Sequence, residues 1–152
     1  MAITSAVCNS FKVEVLQGTH NFTASSGNTF NLALYTSSAT LNKSTTAYAT
    51  NPGGGSDTEI TNTSGSAYSA KGKALTSVTP ALSTDTACCD FSDVSWTSAS
   101  FTANGCLIFN DSASGDPAVC AIAFGSDKTV TSGTFTIQFP TADADNAILR
   151  IA

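Results

Sequence analysis

The chain has 152 residues, a formal net charge of −5 and a charged fraction of 11%, against roughly 25% in an average globular domain. This length suits one domain with a single hydrophobic core. With one histidine, one arginine and five lysines, the chain lacks most side chains that acid–base, covalent and metal chemistry recruit, so no enzyme activity, catalytic residue, metal or cofactor is expected. The acidic balance argues against nucleic-acid binding, and no apolar run is long enough to span a membrane.

The amino-terminal segment, residues 1–28, is predicted to form an arm that contains one short helix. Apolar residues from Phe11 to Val15 alternate as in a strand, but the two ends of this run also lie one helical turn apart. We favour a helix over Ser10–Gln17, capped by its first residue and by the following Gly18. The segment has neither the charged nor the apolar region of a secretory signal, so synthesis in a cytoplasm is expected.

The next part of the chain combines one strand with a long loop. Thr29–Thr36 is predicted to be a strand, because Phe30, Leu32 and Leu34 form one apolar face. Thr36–Ser56 has the composition of a loop, with Ser, Thr, Asn, Pro and a run of three glycines. Long loops in compact domains are often functional, so this loop and the arm are the best candidates for contact with a partner.

Five side chains are predicted as interface residues on this basis. Phe11, His20 and Phe22 belong to the arm, and Tyr48 and Tyr68 lie in polar stretches. Aromatic side chains with a polar tip are enriched at interfaces. Tyr48 and Tyr68 are therefore better contact candidates than Trp96, which is expected in the core.

Beyond residue 85 the sequence indicates short strands with turns at about ten-residue spacing, which is typical of a β-sandwich or barrel. We expect an all-β fold, a single-domain antiparallel β-sandwich over residues 29–152 with jelly-roll or immunoglobulin-like connections. Gly125–Lys128 and Thr131–Gly133 are predicted turns, and Leu149 and Ile151 are expected to face inward. The predicted strands are Thr86–Phe91, Val94–Trp96, Ser100–Asn104, Cys106–Phe109, Ala118–Phe124, Thr134–Phe139 and Asn146–Ile151.

Candidate reactive groups have simpler structural interpretations. Five cysteines cannot all pair within one chain, and no C-x-x-C spacing suits zinc or thiol exchange. Reduced, packed thiols are expected, because most of the cysteines lie in apolar strand-like runs, namely Cys88, Cys89, Cys106 and Cys120. His20 has no companion acid nearby in the sequence, so a loop histidine is favoured over a catalytic base. Asp143 and Asp145 are interpreted as turn carboxylates, and Trp96 as a core residue.

Several stretches resemble a family of small virion-associated proteins of tailed bacteriophages. The resemblance spans nearly the whole chain and is most specific in the last third. It is carried by Asn9–Lys12, Gly18–Phe22, Leu32–Leu41, Ser44–Tyr48, Val94–Thr97, Leu107–Ser112, Asp116–Val119, Lys128–Thr131, Gly133–Pro140 and Asn146–Ala152.

The resemblance implies a structural role in the virion. Small size, low charge and β-structure favour a capsid decoration or cement protein on the outer surface of the head, where weak contacts repeated over a lattice gain avidity. The expected partners are the major capsid protein and the chain itself, as a homotrimer at symmetry axes. A tail, neck or fibre component, including a receptor-binding module, is one alternative. A carbohydrate-binding β-sandwich, with tyrosines stacked on a sugar, is the other.

Overall fold

The computed structural model describes residues 2–60 and 67–152. One short helix, α1, precedes a series of strands that are joined by loops. No helix in these residues is long and apolar enough to cross a membrane. The elements are β1 (Ala6–Val7), α1 (Asn9–Leu16), β2 (Phe30–Tyr35), β3 (Lys73–Ala74), β4 (Ser77–Ser83), β5 (Thr86–Phe91), β6 (Val94–Asn110), β7 (Ala118–Ile137) and β8 (Leu149–Ile151).

The strands form two antiparallel sheets, which confirms the predicted all-β sandwich class. The larger sheet has five strands in the order β1-β7-β6-β2-β3, and the smaller has three in the order β4-β5-β8. β2 lies inside the larger sheet and is buried on both faces, since Leu32, Ala33, Leu34 and Tyr35 are all fully covered. Trp96 is 2% exposed, so its predicted core position is confirmed.

β6 and β7 form one long hairpin of 17 and 20 residues, where the sequence predicted five shorter strands. The predicted turn at Gly125–Lys128 is wrong, because Phe124–Asp127 bulges out of β7 opposite the single residue Asn104. The predicted turn at Thr131–Gly133 is also wrong, and this stretch is a second bulge in β7. Positive φ angles at Gly125 (78°) and within the second bulge explain both errors, since bulges and turns need the same backbone conformations.

The amino-terminal segment packs onto the sandwich. α1 confirms the predicted helix, although its N-cap is Cys8 rather than Ser10, and Gly18 follows the helix with a φ of 75°, the left-handed conformation common just after a helix. β1 pairs with β7 through Ala6 and Val7. Residues 2–28 therefore contribute both a strand and part of the core.

The carboxyl-terminal strand is shorter than predicted and less buried. β8 pairs with β5, and Leu149 is half-buried against the core. Ile151 is 68% exposed, so the prediction that it faces a covered interior is wrong. Leu82 stands in the same cross-strand row and is 72% exposed, which means that the larger sheet does not cover this end of the smaller one.

Candidate docking surface

Three of the predicted interface residues lie inside the fold. Phe11, His20 and Phe22 are only 6%, 7% and 9% exposed. They form one aromatic cluster with Phe30 and Phe91, in which the rings of Phe22 and Phe30 stack with centroids 4.3 Å apart. Side chains this well covered hold the amino-terminal segment on the sandwich, and in this conformation they present almost no surface to a partner.

His20 has a companion acid that the sequence analysis missed. Its Nε2 lies 2.9 Å from Oε2 of Glu14, and its Nδ1 lies 3.2 Å from Nδ2 of Asn110. Oδ1 of Asn110 accepts hydrogen bonds from the backbone N–H groups of Ser112 and Ala113, so its amide nitrogen must face the ring. The Asn110 amide then donates to Nδ1, and Nε2 carries the proton that bonds to Glu14. Both ring nitrogens are engaged, and neither is available as a base.

The two predicted contact tyrosines converge on a buried carboxylate. Glu59 is 3% exposed and accepts hydrogen bonds from the Tyr48 hydroxyl (2.7 Å), the Tyr68 hydroxyl (2.7 Å) and the backbone N–H of Lys71 (2.8 Å). The Tyr68 hydroxyl also accepts from the Leu34 N–H. Burial, reinforced by the Glu59 charge, raises the pKa of both tyrosines above the usual range.

These contacts place the tyrosines differently from the sequence analysis. Tyr68 was expected in a polar loop, but its side chain is fully buried. Tyr48 is half-buried, and its ring stacks on Phe109 with centroids 4.7 Å apart. A sugar-stacking platform needs an exposed ring face, which neither tyrosine offers in this arrangement.

Lys71 links this network to the turn of the long hairpin. Its Nζ lies 2.8 Å from a carboxylate oxygen of both Asp111 and Asp116, and 5.8 Å from the centroid of the Tyr48 ring. The hydrogen bonds to the two carboxylates raise the pKa of Lys71 above its usual value. The lysine side chain is 43% exposed, so each ion pair contributes little to stability, but together they hold the turn in place.

The thiols are free and buried, as predicted. Burial raises the pKa of Cys8 to about 11 and the pKa of Cys89 and Cys106 to about 12, and it holds the pKa of Cys120 well above the usual range. These four thiols are therefore protonated at neutral pH, and a protonated thiol is a poor nucleophile and metal ligand.

Asp143 stabilises a turn through its carboxylate, as predicted. Oδ1 of Asp143 accepts hydrogen bonds from the backbone N–H groups of Asp145 (2.9 Å) and Asn146 (2.6 Å). These bonds hold the pKa of Asp143 below its usual value. Within residues 2–60 and 67–152, no three or more His, Cys, Asp or Glu side chains are grouped so that they could hold a metal ion.

Apolar side chains remain exposed at one end of the sandwich. Cys89 belongs to the core-facing side of β5, and strand alternation puts Ala87 on that same side. Leu82 and Ile151 flank Ala87 on the two neighbouring strands, so all three form one row. Their apolar character is what an inner sheet face requires, yet 72% of Leu82 and 68% of Ile151 are exposed.

A groove between α1 and the smaller sheet continues this surface. It has a volume of about 730 Å³, within the range of about 300–1,000 Å³ that is usual for binding clefts. Leu16, which is 89% exposed, lies at its rim together with Ile151. We call Leu16, Leu82 and Ile151 the end patch. Contiguous exposed apolar side chains beside a groove are typical of interaction surfaces and ligand-binding grooves.

Sequence reasoning missed the end patch, although one signal pointed to it. The alternation of Leu149 and Ile151 predicts that both side chains are on the same face of the strand, which is correct. Alternation does not tell whether a second sheet covers that face.

Comparison with family models, with curated proteins and with solved structures found no match to this chain.

Proposed function

We propose that this chain is a structural protein of a bacteriophage virion, and that it acts as a decoration or cement protein on the outer surface of the head. Its partners would be the major capsid protein and other copies of the chain. The sequence resemblance supports the virion role. The arrangement of the side chains supports a role in static docking, since the groups most suited to chemistry are engaged inside the fold.

One observation carries the docking role, namely the exposed end patch. A fully covered sandwich would bury Leu82 and Ile151 against an opposing layer, and burial of apolar surface contributes about 25 cal/mol per Å². Docking of this end onto a capsid protein would supply that layer. No acidic side chain lines the adjoining groove within the described residues, so the net charge of the chain does not oppose contact there.

Repetition explains how such a small surface could be sufficient. A single end patch offers only three large apolar side chains, which suits a weak contact. When copies are linked to one another and to a lattice, each further contact forms at a high effective concentration. Modest individual affinities can then hold neighbouring capsomers together without catalysis or a cofactor.

Cryo-electron microscopy of the intact particle tests the location directly. We expect density for this chain over the joints between capsomers, with the end patch towards the shell. Density confined to the tail or neck would favour the alternative of a tail component and would overturn the head assignment. Absence of the chain from the particle would overturn the virion role.

Matched variants test the surface. Purified chain added to shells that lack it should cosediment with them, and Leu82→Asp together with Ile151→Asp should abolish cosedimentation, because charged groups would be desolvated on docking. Ser38→Asp adds a charge to an exposed turn residue after β2, which lines neither groove, and should bind like the wild type. If the Ser38 variant loses binding equally, the contact is not made by the end patch.

A further inference from the structure

The outer edge of β7 lacks a neighbouring strand along most of its length. β6 pairs with one side of β7, while on the other side β1 pairs only with Cys120 and Ala121. No other strand in residues 2–60 and 67–152 borders β7 from Ile122 to Ile137. An unpaired edge of this length is a template for the addition of another strand.

The direction of the main-chain groups on this edge follows from three contacts. The Ser95 carbonyl oxygen accepts a hydrogen bond from Lys73 Nζ (2.6 Å) on the side of β6 that faces away from β7. The hydroxyls of Ser95 and its cross-strand neighbour Thr136 lie 2.9 Å apart, as in the closely spaced, non-hydrogen-bonded pairs of antiparallel sheets. The N–H and C=O of Thr136 therefore point away from β6, and alternation gives Thr134 the same direction.

The same stretch has almost none of the devices that usually protect an edge. Such edges commonly carry charged side chains, prolines or bulges. Residues 129–142 contain no ionisable side chain, and the first proline after the strand is Pro140. The bulge near Ser132 ends before Gly133, and the irregularity opposite Thr134 lies in β6, at Thr97 and Ser98. Gly133–Ile137 of β7 itself therefore carries neither an extra residue nor a charge.

We infer that a second copy of this chain pairs with this edge, antiparallel and through the same five residues, with the two-fold axis at Phe135. In that register Thr134 stands opposite Thr136 of the second copy, and the two exchange both main-chain hydrogen bonds. Thr134 and Thr136 are exposed on one face, while Phe135 and Ile137 pack against the core on the other. The register therefore matches hydroxyl with hydroxyl and apolar with apolar.

Charge does not oppose a second copy as the occupant. Copies with a net charge of −5 repel one another in general, but at Gly133–Ile137 neither brings a charge. Asp127 and Lys128 precede the paired segment in the chain. In an antiparallel pair, these residues of the two copies therefore lie at opposite ends of the contact. One contact would also satisfy two unpaired edges at once, which a partner without a free edge cannot do.

The contact must extend beyond the strands, since a stable interface covers about 800 Å² of each partner. A groove of about 840 Å³ runs beside this edge, lined mainly by apolar side chains that include Val7, Ile122, Phe124 and Phe139. A strand added to β7 would place its own core-side residues, such as Phe135 of the second copy, next to this groove. The inference does not depend on the virion role and goes beyond it.

Light scattering coupled to gel filtration, over a dilution series, tests the pairing. The wild type should show twice the chain mass of 15.4 kDa. Thr136→Pro removes an N–H that points away from β6 and should reduce the mass to one chain, because proline cannot donate to an added strand. Thr136→Val keeps the N–H, removes only the hydroxyl and should retain the pair.

Thr134→Pro and Thr134→Val repeat the comparison at the other outward residue, in case one proline variant does not fold. Circular dichroism and the emission of Trp96 confirm that each variant tested is folded. A wild type of single-chain mass at every concentration would overturn the inference. So would a pair that survives both proline variants, or a mass of three chains, as in the trimer expected from the sequence.

Discussion

Alkaline pH should destabilise this fold strongly, because of its buried thiols. The pKa of Cys89 and Cys106 is raised from 9.0 to about 12, and the pKa of Cys120 is raised well above 9.0, in each case chiefly by burial. The folded state therefore keeps these protons at a pH where the unfolded chain releases them. The stability they contribute is fully present below about pH 9 and is lost as the pH rises towards the folded pKa values.

The size of the effect follows from linkage. Each thiol that titrates only in the unfolded chain lowers the free energy of unfolding by about 1.4 kcal/mol for each pH unit above its unfolded pKa. Between about pH 8 and about pH 10, these three thiols together should lower it by about 4 kcal/mol, and Cys8, whose pKa burial raises to about 11, should add about 1 kcal/mol. The free energy of unfolding of a domain of this size is only about 5–15 kcal/mol, so a large part of it would be lost.

Urea denaturation at a series of pH values measures this loss, with Trp96 emission as the signal and a reductant present. Cys106→Ala removes one fully buried thiol and should reduce the loss between about pH 8 and about pH 10 by about 1.4 kcal/mol. Val119→Ala, a buried truncation in the same sheet without a thiol, should keep the wild-type pH dependence. A free energy of unfolding that stays constant over this interval would refute the reasoning, as would an unchanged slope in the Cys106 variant.

Three further outcomes follow from the buried contacts. Phe30→Ala should lower the free energy of unfolding by about 3–5 kcal/mol in urea titrations, since the ring is fully buried between aromatic neighbours; a loss below about 1 kcal/mol would contradict this packing. Glu59→Ala removes the acceptor of three hydrogen bonds and should cost about 3 kcal/mol, whereas Lys71→Met, which removes half-exposed ion pairs, should cost less than about 1 kcal/mol; equal losses would contradict the burial assigned to the carboxylate. Nitrogen NMR of neutral His20 should show a protonated Nε2 and an unprotonated Nδ1, and Asn110→Ala should remove this preference; the opposite tautomer in the wild type would refute the assigned hydrogen bonds.

Local pattern predicted the buried strands well and the edge strands poorly. β2 and β5 were predicted because their apolar residues are dense and the flanking residues favour turns, and Thr86–Phe91 matches the strand at both ends. β4 was missed because Ser77–Ser83 is largely exposed and contains Pro80, which reads as a strand breaker. A sheet edge tolerates proline when its missing N–H faces solvent, and the register shift between Val78 and Ala81 accommodates it.

The environment of the candidate residues could not be predicted from local sequence. Tyr68 lies in a polar stretch, yet its ring is buried because Glu59 and the Leu34 N–H satisfy its hydroxyl. His20 meets Glu14 across the end of α1 and Asn110 at the far end of β6, a separation of 90 residues in the second case. Contacts between distant segments determine whether an aromatic side chain lies in the core or on the surface. The local periodicity of the sequence does not predict such contacts.

The bulge opposite Asn104 divides the long hairpin into two zones. The inner zone, next to the turn, is flanked by β1 and β2, while the outer zone is a two-stranded ribbon within the described residues. The ribbon is nevertheless anchored, because Trp96 and Ala99 belong to the core and only two residues separate β5 from the start of β6. The outer zone therefore cannot open without exposing Trp96, and the amides between β6 and β7 should exchange at the rate of global unfolding in both zones.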